Sequence, residues 1–93
     1  MLAEIVSTLV STPDTCGGKL RIEGTRITLN QIVTLYKQGE TAEEIAGQYP
    51  QLTLSQVYSA LAYYHSNKTE VELDLDKEKN EAEKLAHEFA RGL

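Results

Sequence analysis

The chain is 93 residues long, 41% hydrophobic and 25% charged, which fits one small domain and leaves no room for a second. Nine Lys and Arg against 14 Asp and Glu leave a net charge of -5, a balance that excludes wholesale electrostatic capture of nucleic acid, so any DNA contact needs a local basic patch. The lone Cys16 excludes an intrachain disulfide framework or a multi-cysteine zinc site, and no stretch approaches the roughly 18 apolar residues of a membrane span. Met1 to Val10 carries Glu4 and Ser7 and no basic residue ahead of its apolar positions, so it does not read as a secretory signal, and the expected location is the cytoplasm. A core this small leaves stability marginal, which makes a homodimer an expectation.

In chain order, Ile5, Val6, Leu9 and Val10 suggest extended structure before Pro13 and Gly17-Gly18 interrupt it. Leu20-Arg21-Ile22 and Arg26-Ile27 then flank Glu23-Gly24-Thr25, two short β-branched runs around a glycine, the pattern of a small β-hairpin. Thr28 closes this hairpin and opens a helix with Leu29, Ile32, Val33 and Tyr36 on one face, ending at Gly39. Thr41 with Glu44 forms a capping box that starts a second helix, which lines Ile45, Ala46 and Tyr49 on one side and stops before Pro50. Thr53 with Gln56 repeats the arrangement and starts a third helix, with Leu54, Val57, Tyr58, Leu61 and His65 as its apolar stripe and Asn67 as its stop.

Beyond Asn67 the composition shifts: residues 67 to 93 hold 8 acids and 5 bases, against 6 acids and 4 bases in residues 1 to 66. Leu73 and Leu75 lead into a helix whose narrow stripe is Ala82, Leu85, Ala86, Phe89 and Leu93. A helix of that length is marginal alone in water, so its stripe lies on the body, on a second copy or on another protein. The chain therefore divides into a body over residues 1–68 and a charged amphipathic helix over 69–93, with Leu85, Phe89 and Leu93 as its partner-binding residues.

The two capped helices joined by Gln48 to Thr53, after a helix and a hairpin, read as a trihelical helix-turn-helix unit. In a DNA-binding version the third helix would present Ser55, Gln56, Ser59, Ala60 and Tyr63 opposite its core stripe, a face without Arg or Lys. The cations gather instead at Lys19, Arg21 and Arg26 around the hairpin, where they serve as a phosphate-contacting wing or simply pair with Glu23. Gly24 and Thr25 form the tight turn, and Arg26 is the candidate clamp for a phosphate or carboxylate. His65 and His87 lie 22 positions apart with no HExxH, GxSxG or P-loop pattern, so neither catalysis nor a metal or cofactor is expected. His65 reads as a core histidine, and Tyr36, Tyr49, Tyr58, Tyr63 and Tyr64 read as packing residues rather than base-stacking ones.

The run Gly17-Gly18-Lys19-Leu20-Arg21-Ile22-Glu23-Gly24-Thr25-Arg26-Ile27-Thr28, followed by Gly39-Glu40-Thr41-Ala42-Glu43-Glu44-Ile45, Tyr49-Pro50-Gln51-Leu52-Thr53 and Ala60-Leu61-Ala62-Tyr63-Tyr64, resembles the bacterial domain-of-unknown-function family 433. The likeness covers about residues 10–72, and Leu20 departs from it where the family usually has proline. The resemblance implies a mainly α fold: a homeodomain-like or winged helix-turn-helix body with a small N-terminal β-hairpin, here followed by the C-terminal helix. For many members it also implies an antitoxin role beside a PIN-type toxin nuclease. The expectation is thus an antitoxin-like protein that binds a toxin nuclease through its tail and operator DNA through its body. The rivals are a protein-interaction module that never touches DNA and a purely structural dimer.

Overall fold

A computed structural model of the chain describes residues 9 to 14 and 16 to 92. The expected extension at Ile5 and Val6 and the partner-binding role of Leu93 lie outside the described residues. Two short strands, β1 (Leu9–Val10) and β2 (Arg21–Ile22), precede four helices, α1 (Leu29–Lys37), α2 (Ala42–Gln48), α3 (Leu54–Ser66) and α4 (Lys68–Gly92). The architecture is mainly helical with a small antiparallel two-stranded sheet at its N-terminal end.

The sheet differs from the expected hairpin in its pairing. β2 pairs with β1, in the register Leu9 with Ile22 and Val10 with Arg21, whereas the returning segment Arg26–Thr28 meets β2 through a single bridge, Arg21 with Thr28. The turn itself lies where the glycine placed it. Thr25 N–H donates to the Ile22 carbonyl at 3.0 Å and Ile22 N–H to the Ile27 carbonyl at 2.9 Å, with Gly24 at φ +82°, a value glycine adopts without the Cβ clash other residues meet. The Thr25 hydroxyl donates to the Ile22 carbonyl and accepts from Ile27 N–H, so its side chain locks the same loop.

Each of α1, α2 and α3 begins with a reciprocal capping box: Thr28 with Gln31, Thr41 with Glu44, and Thr53 with Gln56. Each box satisfies two backbone amides that have no partner inside the helix. α1 ends in a Schellman motif, with Gly39 at φ +99° and the Gly39 and Glu40 amides returning to the carbonyls of Tyr36 and Leu35. The core is formed by Ile22, Ile27, Leu29, Ile32, Val33, Ile45, Leu52, Val57, Ala60, Leu61, Tyr64 and Val71, among others, and α3 packs at its centre against α1, α2 and the start of α4.

The buried face of α3 is rotated from the expected one. Val57 and Leu61 are buried as expected, but Ala60 and Tyr64 complete the stripe, while Leu54 and Tyr58 are 40% and 51% exposed and His65 is exposed. Ala60 explains the choice: its small side chain, fully buried, lets neighbouring helices approach α3 closely, and Tyr64 then reaches across to α1 and α4.

α4 begins directly after Asn67, earlier than the tail helix read from the sequence, and it is one continuous element of 25 residues, about 37 Å long. Asn67 stops α3 by donating its backbone amide to Tyr63 and Tyr64, then its carbonyl accepts from Val71 N–H in the first turn of α4. Val71 is buried and Leu75 half-buried against the body, whereas every residue from Lys79 to Arg91 is exposed. The outer half of α4 therefore projects from the body, giving the molecule extents of 52 × 30 × 27 Å.

Candidate interaction surfaces

The base of α4 is fixed by polar contacts that local sequence pattern does not foretell. Asn30, buried on α1, donates through Nδ2 to Asp74 Oδ2 at 2.7 Å and Glu78 Oε1 at 2.8 Å. Lys19 Nζ meets the same two carboxylates, at 3.2 and 2.9 Å. On the other side Glu72 accepts from Lys37 Nζ and from the Tyr64 hydroxyl. The acids respond as carboxylates do among donors: the Asn30 bond, with Lys19 beside it, holds Asp74 below its ordinary range, and Lys37 and Tyr64 do the same for Glu72. Tyr64 is pushed up to about 12 by its bond to Glu72. For Lys19, burial lowers the pKa but the bonds to Glu78 and Asp74 outweigh it, and the net shift is upward.

These contacts divide the expected basic patch. Lys19 is committed to α4. Arg21 turns inward, donating through Nη1 to the Thr25 carbonyl at 3.3 Å and through Nη2 to Thr12 Oγ1 at 2.8 Å, while its buried Nε has no hydrogen-bond partner among the described residues. Arg26 is exposed at the rim of a shallow depression of about 570 Å³ that Val10, Thr12, Arg21, Glu23, Gly24 and Thr25 complete.

The expected recognition face of α3 is divided as well. Ser55 is exposed, Gln56 accepts from the Thr53 amide in the capping box, Ser59 is buried at 9% exposure and Ala60 at 0%, and Tyr63 packs half-buried against the core. The outward face is instead Leu54, Ser55, Tyr58 and Ala62, with the Tyr58 hydroxyl donating to Glu43 Oε1 at 3.0 Å. His65 does not lie in the core: its Nε2 stands 3.2 Å from the Tyr36 hydroxyl and its ring meets Tyr36 edge-on, with centroids 5.5 Å apart. Tyr36 and Tyr64 pack edge to face at 6.2 Å, as packing residues do. Among the described residues no group of His, Cys, Asp and Glu could hold a metal ion, and no helix is long and apolar enough to cross a membrane.

Along α4, Val71, Leu75, Glu78, Ala82, Leu85 and Phe89 follow one another at alternating steps of four and three residues, the spacing of a seam that meets a partner helix or groove. The inner end of this seam is covered by the body. The outer end is not: Leu85 and Phe89 are 67% and 72% exposed. Sequence reasoning found this outer stripe but missed the residues that aim it, Asn30, Lys37, Glu72, Asp74 and Glu78. One signal for Asn30 was present, a polar residue between Leu29 and Val33 on an apolar face.

The family model for a protein of unknown function, DUF433, matches residues 9–64, from β1 to Tyr64 on α3. The chain is also similar to the crystal structure of a DUF433 member protein from Anabaena variabilis ATCC 29413, at 29% sequence identity and a TM-score of 0.70, over 81% of this chain and 74% of that one. No curated protein matches. With more than half of its length matched by the family model and the same fold in a solved member, the chain belongs to the DUF433 family of proteins of unknown function.

Proposed function

We propose that this protein is a non-catalytic, cytoplasmic docking module of the antitoxin-like kind, which presents the outer half of α4 to another protein. The observation that carries the reading is the seam on α4, anchored by Val71 and Leu75 but bare at Leu85 and Phe89. A projecting helical extension of about four turns with an exposed apolar stripe is marginal in water and gains order when that face is covered. The family resemblance supplies the partner class, a PIN-type toxin nuclease. The α1–α3 body is read as a homeodomain-like or winged helix-turn-helix unit, with the β1–β2 sheet and its turn as the wing.

Co-expression of the chain with the protein encoded beside it tests the reading by co-elution on a size-exclusion column with light scattering. A stable complex that Leu85→Ser with Phe89→Ser abolishes supports docking through α4, and a complex indifferent to both substitutions refutes it. Operator DNA is the second reading, favoured by Arg26, which is exposed at the rim of the depression beside the β2 turn. Arg26→Ala should weaken DNA binding evenly across sequences and lower the salt slope by about 1, and an unchanged slope would remove Arg26 from the interface.

A further inference from the structure

We propose that a second copy of the chain occupies this face in the isolated protein: the ridge formed by Leu85 and Phe89 on each α4 lies in the groove on the outer side of the other copy's α3. The inference rests on the docking reading of α4 and adds its occupant, so that any other partner must compete with self-association.

The ridge and the groove are complementary features of one molecule. Leu54 and Tyr58, 40% and 51% exposed, wall a groove of about 510 Å³ floored by Ser55, Ser59 and Ala62. Past Ala62 the same surface continues into a depression bounded by Leu9, Leu20, Tyr63, Ser66 and Asn67. Small floor residues between larger walls accept an inserted ridge. The α4 of the same molecule cannot fill it, because the helix runs unbroken from Lys68 to Gly92 and carries Leu85 and Phe89 away from the body. The lengths agree: α3 has 13 residues, about 20 Å, and the exposed part of α4 from Lys79 to Arg91 spans about the same.

Charge chooses between two ways of pairing two copies. Glu81 and Glu88 flank the seam on one side, at the positions that face their own equivalents when two such helices pair antiparallel, so antiparallel α4–α4 pairing sets carboxylate against carboxylate. The groove residues Leu54, Ser55, Tyr58, Ser59 and Ala62 carry no charge of their own, so the acidic flank meets a neutral lining there, with the Glu43 carboxylate at its edge engaged by the Tyr58 hydroxyl at 3.0 Å. The area is also sufficient. Leu54, Tyr58, Leu85 and Phe89 together leave roughly 500 Å² exposed per copy, and with Ala62, Ala82, Ala86 and Ser55 the contact approaches the about 800 Å² per partner of a standard interface. With one ridge and one groove on each copy, a two-fold axis that lets both contacts form at once closes the pair as a dimer.

The test is sedimentation equilibrium on the full chain, with two variants that alter exposed positions only: Leu85→Ser with Phe89→Ser, which removes the ridge, and Ala62→Trp, which fills the groove. The wild type should be a dimer, and each variant should dissociate about a hundredfold more readily with an unchanged helical circular-dichroism spectrum. An equimolar mixture of the two variants should form heterodimers, since one ridge and one groove remain intact between them. Should Ala62→Trp fail to fold, Ser55→Trp fills the other end of the groove. A wild-type dimer unaffected by the groove variants overturns the inference, as does a wild-type monomer. A monomer that still forms an α4-dependent complex with the neighbour-encoded protein overturns self-association alone and leaves the docking reading standing, whereas a monomer without such a complex overturns both.

Discussion

Asn30→Ala should cut the tie between the body and α4. The Asn30 amide donates two charge-assisted hydrogen bonds, to Asp74 and Glu78, each of which contributes about 1.5–3 kcal/mol when shielded from water. Here the acceptors are partly wet, with side chains 42% and 37% exposed, and Lys19 continues to neutralise them, so water and Lys19 recover much of the loss. A destabilisation of about 1–3 kcal/mol results, equivalent to about 4–8 °C in Tm per kcal/mol for a domain of this size. Asn30→Asp sharpens the test, because it places a third carboxylate against two others. Its proton affinity rises in the folded state, so the penalty relative to wild type should be largest at neutral pH and shrink as pH falls through the raised pKa. Urea unfolding of the three proteins at pH 7 and at pH 5 reads both effects. A cost below about 0.5 kcal/mol for Asn30→Ala, the size of an ordinary surface substitution, together with a pH-independent Asn30→Asp difference, would refute the clamp.

The shifted groups at the base of α4 give stability a defined pH profile. Asp74 and Glu72 have lowered pKa values, so their contribution is complete above the ordinary carboxylate range and is lost as pH falls from about 4 through their folded values. Tyr64, raised to about 12, and Lys19, also raised, contribute below their ordinary values, and that part is lost as pH rises above about 10. Urea midpoints measured at pH 3, 7 and 11 should therefore peak at 7. Thr53→Ala removes the capping box of α3 and should cost about 1 kcal/mol by denaturant unfolding. Gly24→Ala meets no atom within 4 Å, so its cost comes from the backbone alone, about 1–2 kcal/mol for a side chain held at φ +82°.

The helix starts were legible because capping is local: Thr41 with Glu44 and Thr53 with Gln56 announce themselves within four residues, and Gly39 marks the end of α1. What depends on distant neighbours was not. β2 finds its partner at Leu9–Val10, about a dozen residues upstream across a 3-10 turn at Cys16–Gly18, and two-residue strands carry too few side chains to declare their pairing. On α3 apolar or small residues occupy most of the circumference, so periodicity alone could not choose between the Tyr58 and Tyr64 sides; Ala60 decided it by letting the other helices close in. The start of α4 was obscured by Glu70, Glu72, Asp74 and Asp76, a run of acids that is stable as helix because Lys19, Lys37, Asn30 and Tyr64 meet it from other elements. The same long-range pairing, 55 residues apart in sequence, is why Lys19 read as part of a basic patch. The stripe at Leu85 and Phe89 was readable because nothing in the body modifies it.

Amide hydrogen exchange along α4 tests most directly that its outer face is a covered docking surface. In the wild-type protein, concentrated or mixed with its neighbour-encoded partner, amides between Ala82 and Arg91 should exchange at least about tenfold more slowly than in the Leu85→Ser, Phe89→Ser variant, while those around Val71 and Leu75 exchange alike in both. Equal exchange of the outer amides in the two proteins, under both conditions, would contradict the account.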